Sequence, residues 1–443
     1  MLNWLWSPVK GRLIQVLLLF GLSPFILLQP LLAETVAPDG SQEVSISFEQ
    51  VLTAAFKQNL GLQIEKQQLE AEAATESATF RKLLPSFSMS AGTTETLNDS
   101  SDPTNETTSY SSSLVMSQAI YQPTLMASWR KSELSLKKAD FNLQRLAQKL
   151  VFDVKKAWYN VLQEEVLLAE SRQSLARLKQ HKQNAEAFYK SGKIWRNDLL
   201  QANVRVTKGE QDLFAAENRL VLAKSQVNLL LNRDIHSPFI PNGELEQIEF
   251  QGSLDNFVKR AMANRLDIKQ SQLDIKIASK DKSLAKAKLK PTVNFRLSSS
   301  LTSPDFDYQT SNNQTTASIN LNWNFWQFGQ TSREVGAANA KLKAKQLALQ
   351  QKKADIMLEV QKAYLTVMES QYSLKVSEQA LQQSLENFRV SQIRYKEQLG
   401  SSNDVLDAQD LLTQTQTDRV AALSRYLIAI AELNLAVGEP VRF

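Results

Sequence analysis

Polar and apolar positions along the chain change period at two prolines. Before Pro85 the apolar residues recur at helical spacing: Phe48, Val51, Leu52, Ala55 and Phe56 form one stripe, and Ser47 stands where an N-cap belongs. Asn59-Leu60-Gly61-Leu62 interrupts the stripe, and a Glu-, Gln- and Ala-rich stretch then runs on to Leu84. After Pro85 the pattern alternates, with Phe87, Met89 and Ala91 set against Ser88, Ser90 and Gly92. The same switch occurs at Pro291. A helical stretch over 254–290, broken near Asn264 to Ile268, gives way to Val293, Phe295 and Leu297 against Asn294, Arg296 and Ser298. Polar loops over 98–109 and 303–315 follow. Beyond the second, Ile319, Leu321, Trp323 and Phe325 alternate with Asn320, Asn322 and Asn324; Leu114, Met116 and Ile120 give a weaker version beyond the first. The spacing predicts strands over 86–97, 110–121, 292–301 and 316–326. Strands of about 9–11 residues cross a bilayer when tilted. A soluble hairpin with one dry face has the same pattern, although a lone hairpin is marginally stable.

Two longer elements follow the strands. Thr124 to Ser191 holds no Gly or Pro over 68 residues, and Ala337 to Leu399 none over 63. The pattern predicts helices over 124–191 and about 332–399, each about 100 Å long at 1.5 Å per residue. Val367, Leu374, Leu381, Phe388 and Tyr395 fall at sevens; Val161, Leu168, Leu175 and Tyr189 do so in the first, with Lys182 in the series. Heptad spacing predicts a narrow, coiled-coil-like seam. Returning helices run over 197–231 and 402–437, with Asn197 or Asp198, and Ser402 or Asn403, as candidate caps.

These elements occur twice. Pro85 and Pro291 are 206 apart, as are Trp158 and Tyr364, Tyr189 and Tyr395, and Asp198 and Asp404. The period is far too long for a solenoid repeat. It marks a duplicated half-molecule, 47–231 and 253–437, joined by a linker over 232–252 and ending in a tail over 438–443.

Composition narrows the chemistry. There is no cysteine, which excludes disulfides, thiolate metal sites and a lipidated cysteine. His181 and His236 are the two histidines and stand far apart, so no metal site, cofactor site or catalytic triad is expected. Acidic and basic residues are interspersed (46 against 51), which argues for solvated helix faces and against nucleic-acid binding. Lys10, Arg12 and the apolar run Leu13 to Leu32 predict an export signal over 1–33 cut after Ala33, ahead of an N-terminal segment over 34–46; a retained anchor is the alternative. No later stretch reads as a transmembrane helix, so any further crossing uses strands.

Four strands cannot close a membrane barrel, and open edges are not tolerated in lipid. The chain is therefore expected to oligomerise. Two copies give eight strands and a narrow bore; three give twelve.

Helix, proline, two strands, long helix, turn and helix, repeated behind a signal segment, resemble the TolC outer-membrane efflux family. The residues that carry the resemblance are Leu84-Pro85 with Lys290-Pro291, Ala157-Trp158 with Ala363-Tyr364, and Tyr395 followed by Asp404-Val405-Leu406-Asp407-Ala408. It covers essentially the whole chain beyond the signal. It implies a homotrimer whose twelve-strand barrel, four strands per chain, lies in the outer membrane and continues into a long periplasmic α-helical barrel. It implies a passive exit duct for efflux or secretion, docked to a periplasmic adaptor and an inner-membrane pump. Competing readings are a periplasmic adaptor, which would need β-domains flanking a single hairpin, and a structural envelope spacer. No nucleophile–base pair or phosphate loop suggests an enzyme.

The resemblance also implies that Tyr395, Asp404 and Asp407 belong to a constriction at the periplasmic tip. An arginine that locks some members shut would fall near Gly400, where this chain has none. Asp198 and Tyr189 are the first-half counterparts of Asp404 and Tyr395; capping and packing are the plainer roles for these positions. Asp407 has Gln201 as its counterpart, so the fold alone does not require its charge. Gly192, Lys193, Gly400 and Ser401 mark the tip turns expected to meet the adaptor. Tyr121, Trp323 and Trp326 are candidates for an interfacial aromatic girdle. Lys276, Lys280, Lys282, Lys286, Lys288 and Lys290 crowd the approach to Pro291, either as a solvated face or against anionic headgroups. Phe443 is a terminal aromatic, as on many outer-membrane barrels, but follows a helix.

Overall fold

The computed structural model describes residues 44–96, 107–306 and 311–439. The expected export signal, most of segment 34–46, parts of both polar loops, and Phe443 with most of the tail lie outside these residues. The described elements run β1 (Val44–Ser47), α1 (Phe48–Gln58), α2 (Leu60–Arg81), β2 (Ser86–Thr96), β3 (Thr107–Tyr121), α3 (Pro123–Lys190), α4 (Arg196–Leu230), β4 (Phe239–Asn242), α5 (Leu254–Asn264), α6 (Leu266–Ala287), β5 (Thr292–Ser303), β6 (Asn312–Asn322), α7 (Gln330–Lys396) and α8 (Ser402–Val437).

Four strands form one antiparallel sheet in the order β2-β3-β5-β6. Its register sorts the two faces. Phe87, Met116, Leu297 and Ala317 pair across one row; Ser86, Ser117, Arg296 and Ser318 pair across the adjacent row, which points to the other face. One face is thus apolar and the other polar. The apolar face is bare to solvent: Phe87 is 70%, Met89 78% and Ile319 69% exposed. The outer edges, β2 and β6, are unpaired among the described residues.

The last strand departs from the expected 316–326. β6 spans Asn312–Asn322 and ends opposite Thr292. Pro291 cannot donate to a ladder, so pairing stops there. Trp323, Phe325 and Trp326 lie past the strand end, where the Trp323 indole N–H donates to the Leu289 carbonyl at 3.0 Å. The linker differs too. It contains β4, which pairs in parallel with β1. Four-residue strands are too short to leave an alternating pattern.

The helices pack in a single curtain. Nearer the sheet the lateral order is α2-α3-α6-α7; towards the far tip it is α4-α3-α8-α7. The heptad seam of α7 is buried at Val367, Leu374, Phe388 and Tyr395. That of α3 is buried at Val161, Leu168 and Leu175, then surfaces at Lys182 and Tyr189. Each half has its own core, and the cores correspond. Val154, Ala157, Val161, Ala223 and Leu231 in one match Val360, Ala363, Val367, Ala429 and Val437 in the other. By length and composition α8 is apolar enough to cross a membrane, contrary to the sequence expectation for this stretch, but most of its apolar window is buried within the protein.

The halves solve one buried contact differently. At the α1–α2 break, the Asn59 amide donates to the Leu230 carbonyl, and its oxygen caps α2 by accepting the Leu62 N–H. At the matching α5–α6 break, Arg265 donates to the Ala436 carbonyl, grips Asp267 with two hydrogen bonds of 2.9 and 2.7 Å, and grips Glu359 with two more. Burial alone would lower the arginine pKa, but these bonds raise it above the ordinary value. Asp267 is held below its ordinary 3.8: burial pushes its pKa up, but Arg265 more than offsets this.

Candidate gate at the helical tip

Both hairpins end in the same backbone device. The N–H groups of Gly192 and Lys193 donate back to the Tyr189 and Phe188 carbonyls; those of Gln398 and Leu399 donate back to Tyr395 and Arg394. The sequence pattern moves the turn glycine to Gly400, but the left-handed residue stays at the repeat position. Gly192 has φ of 71° and Gln398, its counterpart, has φ of 61°. Trp195 is 84% and Leu399 71% exposed at these tips.

The returning helices start one or more residues earlier than their expected caps. Ser401, not Ser402 or Asn403, caps α8: its hydroxyl accepts the Asp404 N–H at 3.1 Å while the Asp404 carboxylate accepts the Ser401 N–H at 2.9 Å. Trp195 holds the N-cap of α4, and Asp198 accepts its N–H at 3.3 Å rather than acting as cap itself. The Ser401 hydrogen bonds, backbone first, keep the Asp404 carboxyl below its ordinary 3.8. It is therefore ionised at neutral pH. Asp407 is free of such duties and its side chain is 76% exposed.

Tyr395 is 5% exposed, between the two hairpins. Its ring lies 5.2 Å from that of His181 and 5.5 Å from that of Phe188, both on α3. The hydroxyl is buried without a well-formed hydrogen bond. Burial raises its pKa, the neighbouring Ser402 opposes the rise and the nearby Asp198 charge adds to it. Asp198, on the other hairpin, thus acts on Tyr395 through its charge alone. Tyr189 is not part of the cluster and is 41% exposed.

Two residues absent from the sequence-level candidates complete this tip. The His181 imidazole is buried and hydrogen-bonds the Ser402 hydroxyl at 3.0 Å. Arg205 on α4 reaches Asp410 at 2.5 Å and Asp407 at 3.8 Å, both on α8. Each ties one hairpin to the other. The repeat spacing held a signal for both: their counterparts are Asn387 and Leu411, so neither side chain is demanded by the shared fold.

Burial lowers the His181 pKa below its ordinary 6.5. The small cavity beside it is lined by Arg177 and Lys396, two further cations that oppose its charging. An opened tip takes up a proton near pH 6.5 that the packed tip refuses, so tip stability is full above that value and falls as pH drops. Hydrogen-exchange protection factors over 177–190 and 395–409, which correct for the slower intrinsic exchange in acid, are expected to fall on acidification below pH 6.5. His181→Gln is expected to flatten that dependence.

Residues 257–439 match the family model of the outer membrane efflux protein. The match covers the second half of the chain. The first half repeats the same order of elements outside the matched segment. No curated protein sequence gives a significant match. Among solved structures, CusC superposes with a TM-score of 0.79 at 15% identity, covering 91% of this chain and 95% of CusC. The CmeC outer membrane channel of Campylobacter jejuni gives 0.78 at 15% identity, covering 88% and 85%. VceC of Vibrio cholerae gives 0.76 at 15%, covering 88% and 96%. At such identities the likeness shows the fold. The family-model match and the shared fold support the outer-membrane channel reading over the adaptor and spacer readings.

Proposed function

We propose that three copies of this chain close head to tail into a passive exit duct for efflux or secretion, with the sheet in the outer membrane and the helices reaching through the periplasm to an adaptor and pump. One observation carries the reading: among the described residues, the lateral edges of the chain are unpartnered. The β2 and β6 edges are open beside a bare apolar face. Along the curtain, Val204, Phe214, Val221 and Leu222 on α4 and Leu358, Leu365 and Tyr372 on α7 are more than half exposed. Opposite edges of one chain suit a heterologous contact that closes a ring. Planar-bilayer recordings of the purified protein test this directly; discrete, stable conductance steps are expected, and their absence would refute the duct.

At the tip, Asp404 and Asp407 of three chains place six carboxylates around one axis. Such a ring attracts cations. Asp404→Asn/Asp407→Asn keeps the capping oxygen and removes the charge. Loss of cation preference and of block by divalent ions is expected; unchanged selectivity would sink the idea. The exposed Trp195 and Leu399, beside Gly192, Lys193, Gly400 and Ser401, form the surface offered to the adaptor.

A further inference from the structure

The lysine run before Pro291 does not act as one face. Lys288 pairs with Glu334, and Lys282 donates to Asn339 on the same helix, α7. Lys280, Lys286 and Lys290 turn the other way and, with Arg130 of α3, line a cavity of about 500 Å³ where the sheet meets the helices. No carboxylate lines it, and none of the four cations makes an ion pair or a side-chain hydrogen bond among the described residues. The remaining wall is mostly apolar, from Ile120, Tyr121 and Met126 among others, with Gln122 and Ser283 as its uncharged polar members. Tyr121 pairs with Val293, which pairs with Leu321, so it belongs to the apolar face of the sheet.

The repeat shows that the fold does not require these charges. At the 206-residue spacing, the counterparts of Lys280, Lys286, Lys290 and Arg130 are Ala74, Phe80, Leu84 and Gly336. Four unpaired cations around one cavity repel one another and cost stability unless an anion joins them. Resting on the reading that this sheet lies in the membrane, the cavity spans the junction where β3 ends and α6 leads into β5, at headgroup depth.

We propose that this cavity is a binding site for the phosphate of an anionic phospholipid headgroup of the inner leaflet. The acyl chains would run along the apolar face past Tyr121, Val293 and Leu321. The two-sidedness, cationic within and apolar above, fits a lipid better than a free anion.

Native mass spectrometry of the detergent-purified protein with phosphatidylglycerol and with phosphatidylcholine tests the site. Preferential retention of phosphatidylglycerol is expected. It should fall by about tenfold or more in Arg130→Gln/Lys280→Gln/Lys286→Gln/Lys290→Gln, and stay within twofold in Lys282→Gln/Lys288→Gln. Equal loss in both variants would mean diffuse attraction and overturn the proposal, as would equal retention of the two lipids. Displacement by millimolar inorganic phosphate would show a free-anion site instead. Bilayer conductance of the same preparations separates this outcome from failure of the duct itself.

Discussion

Arg265→Met is expected to destabilise the protein by about 3–5 kcal/mol, the usual effect of breaking a buried ion pair from one side. Arg265 is 6% exposed and satisfies two carboxylates and a carbonyl at once. Without it, Asp267, at 3% exposure, keeps only the more distant Arg145 at 3.7 Å and Lys352 at 3.5 Å. Thermal or denaturant unfolding measures the loss. Glu359→Gln should cost far less, because Glu359 is half exposed. The repeat supplies a rescue. Arg265→Asn/Asp267→Gly installs the first half's solution, Asn59 with Gly61, and removes the stranded carboxylate together with its partner. This double variant is expected to be more stable than Arg265→Met. A double variant as unstable as the single one would show that the network does more than fill and pair this break. Mild acid leaves the network intact. Asp267 titrates below its ordinary 3.8, so its contribution holds above that value and is lost only as pH falls beneath it.

Arg205→Gln is expected to leave unfolding nearly unchanged and to raise channel conductance. Asp410 is half exposed and Asp407 more so, so the two pairs together contribute about 0.5–1 kcal/mol per chain. In the proposed threefold ring the small terms act on one equilibrium. Three copies shift the closed-to-open ratio by about 1.5–3 kcal/mol, or roughly 10–100-fold. Single-channel recording reads this as longer or wider openings. Conductance unchanged, with the tip still closed, would assign the closure to the His181–Tyr395–Ser402 packing instead. The two contacts respond to different variables: the Arg205 pairs weaken with salt, and the histidine contact weakens with acid.

Much of the fold is legible in the sequence because the chain is punctuated by residues with single meanings. Pro85 and Pro291 stand where helix yields to strand, and Val367, Leu374 and Phe388 mark a seam because only one narrow stripe of α7 is buried. Local periodicity reports burial on the same element, and no more. It extended β6 to Trp326, since Trp323 and Phe325 continue the alternation, while the partner strand that would have paired them begins only after Pro291. It could not reveal β1 with β4, whose pairing joins segments nearly 200 residues apart. The tip divides in the same way. Tyr395, Asp404 and Asp407 are candidates through the family resemblance, which their order along the chain carries. Arg205 and His181 act across hairpins, and only the folded chain brings them to their partners. The sharper sequence signal was disagreement between the halves, as at Arg130, His181 and Arg205.

The open edges of the sheet have a genetic consequence. In a ring closed head to tail, each chain offers β6 to one neighbour and β2 to the other, and one faulty edge leaves a gap that lipid will not tolerate. A chain with a crippled β6 but a sound β2 would still be recruited, and would then spoil its two healthy companions. Made in equal amount with the normal chain, it would leave only about one ring in eight intact. Loss of this protein through edge mutations is therefore expected to be dominant, while loss through an unfolded core, which never reaches the ring, is expected to be recessive.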